Sequence, residues 1–102
     1  MSKRIELHEK LCDLIQNNHV YFQPPESVKL TYPCFIYRYG GYNVKHANNK
    51  NYIGRDYYEV IYFDKNPDNT MVHDFIDYFP LSRFGRHYTS DNINHYTFTL
   101  YY

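Results

Sequence analysis

Between residues 3 and 17 the apolar side chains Leu7, Leu11, Leu14 and Ile15 recur at i, i+4, i+7 and i+8. Cys12 lies beside them, and Lys3, Arg4, Glu9, Lys10, Asp13 and Gln16 fill other positions. One apolar stripe on an otherwise charged segment predicts an amphipathic helix lying on a core. Ser2 is placed to cap it, and Asn17-Asn18 to end it in a left-handed conformation. His19 to Phe22 reads as a short extended piece before Pro24-Pro25, which excludes helix there. Val28 to Tyr39 is rich in β-formers and is interrupted by Pro33, so the predicted strand is Cys34 to Tyr39 with Pro33 at its start. Gly40-Gly41 allows a bend or bulge. The polar stretch 45–51 has no apolar period and predicts an exposed, mobile loop.

Alternation resumes from Tyr52 to Phe63, with Tyr58, Val60 and Tyr62 on one face and Tyr57, Glu59, Ile61 and Phe63 on the other. The run Asp64-Lys65-Asn66-Pro67-Asp68 is turn chemistry, because Asn and Asp bond their own backbone and Pro presets φ. Met71, Val72, Phe75, Ile76 and Phe79 then return at helical spacing, and Pro80 ends that helix. The tail predicts a hairpin from Arg83 to Thr89, a turn at Ser90-Asp91-Asn92, and a last strand from Asn94. In that strand Tyr96, Phe98, Leu100 and Tyr102 oppose His95, Thr97, Thr99 and Tyr101. The order is α-β-β-α-β-β. Two helices of this size cover one face of a four-stranded, mostly antiparallel sheet, so the expected fold is a single α+β two-layer domain over 1–102. Its other face, with Tyr57, Thr97, Thr99 and Tyr101, is left as a contact surface.

Composition sharpens the picture. The chain has 102 residues, among them 14 Tyr and seven Phe, so rings must complete a thin core or cover an interface. Eleven basic residues balance eleven acidic ones, which disfavours dense polyanion binding and anionic membrane, and removes the repulsion that keeps monomers apart. No window approaches the roughly 20 apolar residues of a spanning helix, so no membrane partner is expected. Cys12 and Cys34 form no C-x-x-C pair and read as buried thiols of a reducing cytosol.

Candidate chemistry is sparse. His8 and Cys12 stand at helical i, i+4 spacing, and His87, Asp91 and His95 bracket a turn, but a zinc signature needs two recognisable ligand pairs and the second is missing. His73 and Asp77 share a helix face that reads as solvated. No nucleophile elbow, phosphate-cradling loop or H-E-x-x-H occurs, so no catalytic, cofactor or metal residues are assigned and the chain reads as no enzyme. Arg83-Phe84-Gly85-Arg86-His87-Tyr88 interleaves Arg with rings as a single-stranded nucleic-acid platform would, which is the reading from another class; sequence-specific nucleic acid is not expected.

Three stretches in order, 19–27 leading into 32–37, then 58–68, then Arg83-Phe84 through 91–95, resemble small tail-completion proteins of long-tailed bacteriophages. The resemblance covers nearly the whole chain. It implies a structural protein of the tail terminator class, an α+β subunit of a hexameric ring that stops tail-tube growth and docks the tail to the head. Its partners would be further copies of itself, the tail tube protein and the head-tail connector protein. Its place would be the virion tail or neck, after assembly in the host bacterial cytoplasm; stopper or adaptor of the neck is the alternative. The family brings no active-site residues. A ring needs one patch meeting a different patch on the next copy, and a polar 42–52 loop is suited to reach a neighbour or line a lumen. Tyr39, Tyr42, Lys45, His46, Lys50, Tyr52 and Arg55 are the candidate contact residues.

Overall fold

The computed structural model describes residues 3–46 and 52–102, with side chains described for all of these except 43–46 and 52–54. Its elements in chain order are α1 (Lys3–Ile15), β1 (Val20–Phe22), β2 (Cys34–His46), β3 (Tyr52–Asp64), α2 (Met71–Tyr78), β4 (Ser82–Ser90) and β5 (Ile93–Tyr101). The strands form one mixed sheet in the order β1-β2-β3-β5-β4. The α+β class, with two helices on one face of a sheet, is therefore as expected.

The strand count is corrected from four to five. Val20, Tyr21 and Phe22 pair in parallel with Phe35, Ile36 and Tyr37. Parallel pairing needs a crossover connection, and the Pro-rich stretch 23–33 supplies one without a helix. Three residues are too few to show a period, so the sequence marked this segment as extended without giving it a neighbour.

The alternation in β3 and β5 sorts residues as read. Tyr58, Val60 and Tyr62 join Tyr96, Phe98 and Leu100 on the helix-covered face, where all are buried. Leu7 and Leu11 of α1 and Met71 and Phe75 of α2 close the core from above, with Phe35, Tyr37, Val20 and Phe79 completing it. Phe75 is its centre: its ring stacks on Phe98 at 4.0 Å and contacts Phe35 and Phe79. Much of the Tyr surplus is thus core, with hydroxyls reaching partners at the edge: Tyr62 donates to Asp64 (2.7 Å), and Tyr96 accepts from Asn69 (3.1 Å).

Local chemistry fixes the connections. Gln16, at φ 62°, takes the left-handed position that ends α1, where Asn17 or Asn18 was expected. Asn17 instead accepts the His19 amide through Oδ1. After β3, the amides of Asn66 and Asp68 donate to the side chains of Asp64 and Asn66, a pair of Asx turns. Asn69 Oδ1 then accepts the Met71 amide and starts α2. The last hairpin turns on Asp91 and Asn92, both at positive φ (52° and 63°), which is a two-residue I′ geometry. Asn94 is buried behind it: its Nδ2 donates to the Asp64 carbonyl (3.1 Å), and its Oδ1 faces His87 Nε2 (3.0 Å). One amide thereby ties the hairpin to the end of β3.

Candidate functional site

β2 and β3 outrun the rest of the sheet. β3 meets β5 only from Tyr57 to Asp64, and β1 covers β2 only from Phe35 to Tyr37, while β2 and β3 stay paired to each other out to His46↔Tyr52. From Gly41↔Tyr57 outward the pair is a two-stranded arm, reaching about 17 Å at the usual rise per residue. The molecule measures 50 × 28 × 23 Å, and its radius of gyration of 14.7 Å exceeds the roughly 13 Å of a compact domain this long.

This corrects the mobile 42–52 loop. Residues 42–46 and 52 are paired strand, Lys45 opposite Ile53 and His46 opposite Tyr52; residues 47–51 lie outside the described ones. A ladder already running from Cys34 can extend by backbone pairing, which does not need the apolar alternation used to recognise strands.

Gly40 and Gly41 build the root of the arm. The register shifts between Tyr39 and Gly41, leaving Gly40 as the extra residue of a bulge. A Cβ on Gly40 would stand 2.3 Å from the Tyr57 ring, and Gly41 has φ 150°, a conformation that favours glycine.

Of the candidate contact residues, the structure gathers Tyr39, Tyr42 and Arg55 at this root. Tyr39 packs edge-on against Tyr58, the outermost buried Tyr of β3. Its hydroxyl donates to Asp56 at 2.7 Å, which pushes its pKa up to about 12, with burial secondary. Tyr42 pairs with Asp56 across the ladder, so Tyr39 and Tyr42 continue the core-facing side of the sheet past the helices. There they stand 46% and 62% exposed. Arg55 follows one step out and is exposed. Lys45, His46 and Tyr52 are placed by backbone only, and Lys50 lies outside the described residues.

The helix-free face is the second surface, and Tyr57, Thr97, Thr99 and Tyr101 are on it as read. Arg38 donates to Glu59 through Nε (2.8 Å) and Nη2. At one end a row of rings crosses the strands: Tyr88 stacks on His95, His95 meets Phe63 edge-on, and Phe63 leans on Tyr32. Arg86 covers Tyr88 at 4.9 Å, and Lys65 stands 5.8 Å from Tyr32. Sequence reasoning missed this row, because it joins residues from four separate segments.

The metal pairings do not assemble. His8 Nδ1 bonds the Tyr37 hydroxyl. His87 stacks on Tyr96 of the core face, whereas His95 lies on the helix-free face. Among the described residues no group of three His, Cys, Asp or Glu is placed to hold a metal ion. Cys12 and Cys34 are free thiols.

Comparison with protein-family models and with curated proteins finds no match.

Proposed function

We propose that this chain is a non-enzymatic assembly subunit whose two-stranded arm lies against a neighbouring copy. The observation that carries the reading is the arm itself. A lone two-stranded ribbon is marginal in water, among the described residues no further strand pairs with its outer edges beyond the Tyr102 amide on the Asp56 carbonyl, and its root exposes Tyr39 and Tyr42. Each of these features is relieved by a partner. Zero formal charge at pH 7 leaves copies without net repulsion. With the resemblance of the three ordered stretches, the most specific form of the proposal is a tail terminator ring on the phage tail tube, with neck stopper or adaptor as the neighbouring role.

The rival stacking platform for single-stranded nucleic acid needs ring faces turned to solvent. Here Tyr88 is covered by His95 on one side and approached by Arg86, while His95 also abuts Phe63. The rings are spent on each other, which favours assembly over base stacking.

Mass photometry of the purified protein, alone and with tail tube protein, tests the reading. Closed oligomers alone, or a defined ring on tube ends, are the expected result, and Tyr42→Ser should weaken them with unchanged melting. A chain that stays monomeric in both settings overturns the proposal.

A further inference from the structure

The chain is neutral overall, yet two exposed patches of opposite sign lie on opposite layers. On the helix side, the end of α1 and the outer side of α2 enclose a concavity of about 520 Å³ lined by Asp13, Leu14, Gln16, Asp74, Asp77 and Tyr78. It has three carboxylates and no basic lining residue. Asp74 takes one bond from Thr70 Oγ1, but among the described residues the salt bridges are Lys10–Glu6 and Arg38–Glu59, and neither involves this groove.

On the opposite side of the sheet, the edge strand β4 bears the complement. Arg83 sits across from Thr99 on the helix-free face, and Arg86 reaches the same face over Tyr88. Both are exposed, and among the described residues neither has an ion-pair partner. The bulge between Phe84 and His87 places Arg86 on that face. The same bulge and the two cations discourage strand-to-strand pairing at this edge, so β4 is suited to a side-chain contact.

We infer that the acidic groove between α1 and α2 receives Arg83 and Arg86 of a second copy. This rests on the assembly reading and names its body-to-body contact. The two patches lie on opposite layers, so each copy that receives one neighbour presents its arginines to the next; such a head-to-tail contact closes into a ring when the rotation allows. Leu14 and Tyr78, the latter 42% exposed, supply apolar surface beside the charges. Charge complementarity of this kind sets register and partner choice.

The test is charge reversal and exchange. Asp13→Lys with Asp77→Lys reverses the groove, leaving Asp74 to its Thr70 bond; Arg83→Glu with Arg86→Glu reverses the strand. Each pair alone should raise the concentration at half-assembly by about tenfold or more. The chain with all four substitutions, and an equimolar mixture of the two doubly substituted chains, should recover assembly. Melting curves show that each variant folds; where one does not, Asp13→Asn with Asp77→Asn and Arg83→Gln with Arg86→Gln repeat the test, each expected to weaken assembly. If wild type assembles and reversal is without effect, or exchange fails to rescue, the patch assignment is wrong while the ring stands. If groove reversal spares self-assembly but removes tube protein binding, the groove serves that partner and the inference is overturned. A wild type that is monomeric with and without tube protein removes both.

Discussion

At the scale of single residues, the sharpest arrangement is the one between α1 and β2. Arg4 Nη1 donates to the Tyr37 hydroxyl (3.3 Å), and the same oxygen is 2.8 Å from His8 Nδ1. Arginine accepts nothing, so the one phenolic proton goes to His8, and the imidazole that fits is the neutral one. Burial, and then the Arg4 charge, hold His8 below its ordinary value of 6.5. The unfolded chain therefore binds the His8 proton more readily than the folded one. The stabilising contribution is complete above about pH 6.5 and is lost as pH falls through the lowered folded value. Melting temperatures between pH 7 and pH 5 should fall more steeply for wild type than for His8→Gln, whose amide oxygen still accepts from Tyr37; parallel slopes refute the assignment. The thiols make a second case. Cys34 is fully buried, and burial pushes its thiol up to about 12; Cys12 is half-buried and raised mainly by burial. Thiolate, not thiol, is the nucleophile. Ellman titration of the native protein at pH 8 should label Cys12 slowly and Cys34 only in denaturant, so Cys12→Ser should be silent until unfolded.

Among the elements, the bulge at the root of the arm is the most exacting. The Gly40 Cα lies against the Tyr57 ring, which itself leans on Tyr101 at 5.7 Å. Gly40→Ala forces that ring aside and should destabilise by about 1–3 kcal/mol, the usual range for overpacking. Chemical denaturation reads this, and Tyr57→Ala in the same chain should recover part of the loss; independent effects of the two substitutions would show that they do not share a clash. The same strands show why parts of the fold were legible. Tyr58-Val60-Tyr62 and Tyr96-Phe98-Leu100 alternate because one face meets helices and the other does not, and a core imprints its period on sequence. β1 puts Val20 in the core but is three residues long, too short to show a period, and the outer part of β2 runs past the strands that flank the body. Turn chemistry was legible to within a residue, since Asp91-Asn92 tolerates the left-handed region that I′ geometry demands. Of the candidate surface, Tyr39 and Tyr42 were legible as surplus aromatics. The cross-strand ring row and the acidic groove were not, because each is assembled by tertiary packing from segments distant in sequence.

For the whole molecule, the question is whether body and arm are separable. The described core draws on α1, α2 and the inner parts of β1, β2, β3 and β5, and no residue beyond Tyr58 along the arm belongs to it. The arm is held by the β2–β3 ladder and, at its root, by one backbone bond from the Tyr102 amide to the Asp56 carbonyl. Replacing residues 44–54 with Asn-Gly, joining Asn43 to Arg55 through a two-residue I′ turn, should therefore leave a folded body. Its melting temperature should stay within a few degrees of wild type, since every residue of the described core is retained and the shorter connection costs less to close. Solution scattering of the monomeric fraction should show the radius of gyration falling from near 14.7 Å toward the roughly 13 Å of a compact domain. If the arm grips a neighbour, assembly is lost in this variant although the acidic groove and the β4 arginines are intact, so body contact alone does not hold the ring. If assembly survives, the groove and β4 suffice, and the arm must face another partner. A body that unfolds on truncation would show that the arm is part of the domain rather than an appendage presented to others.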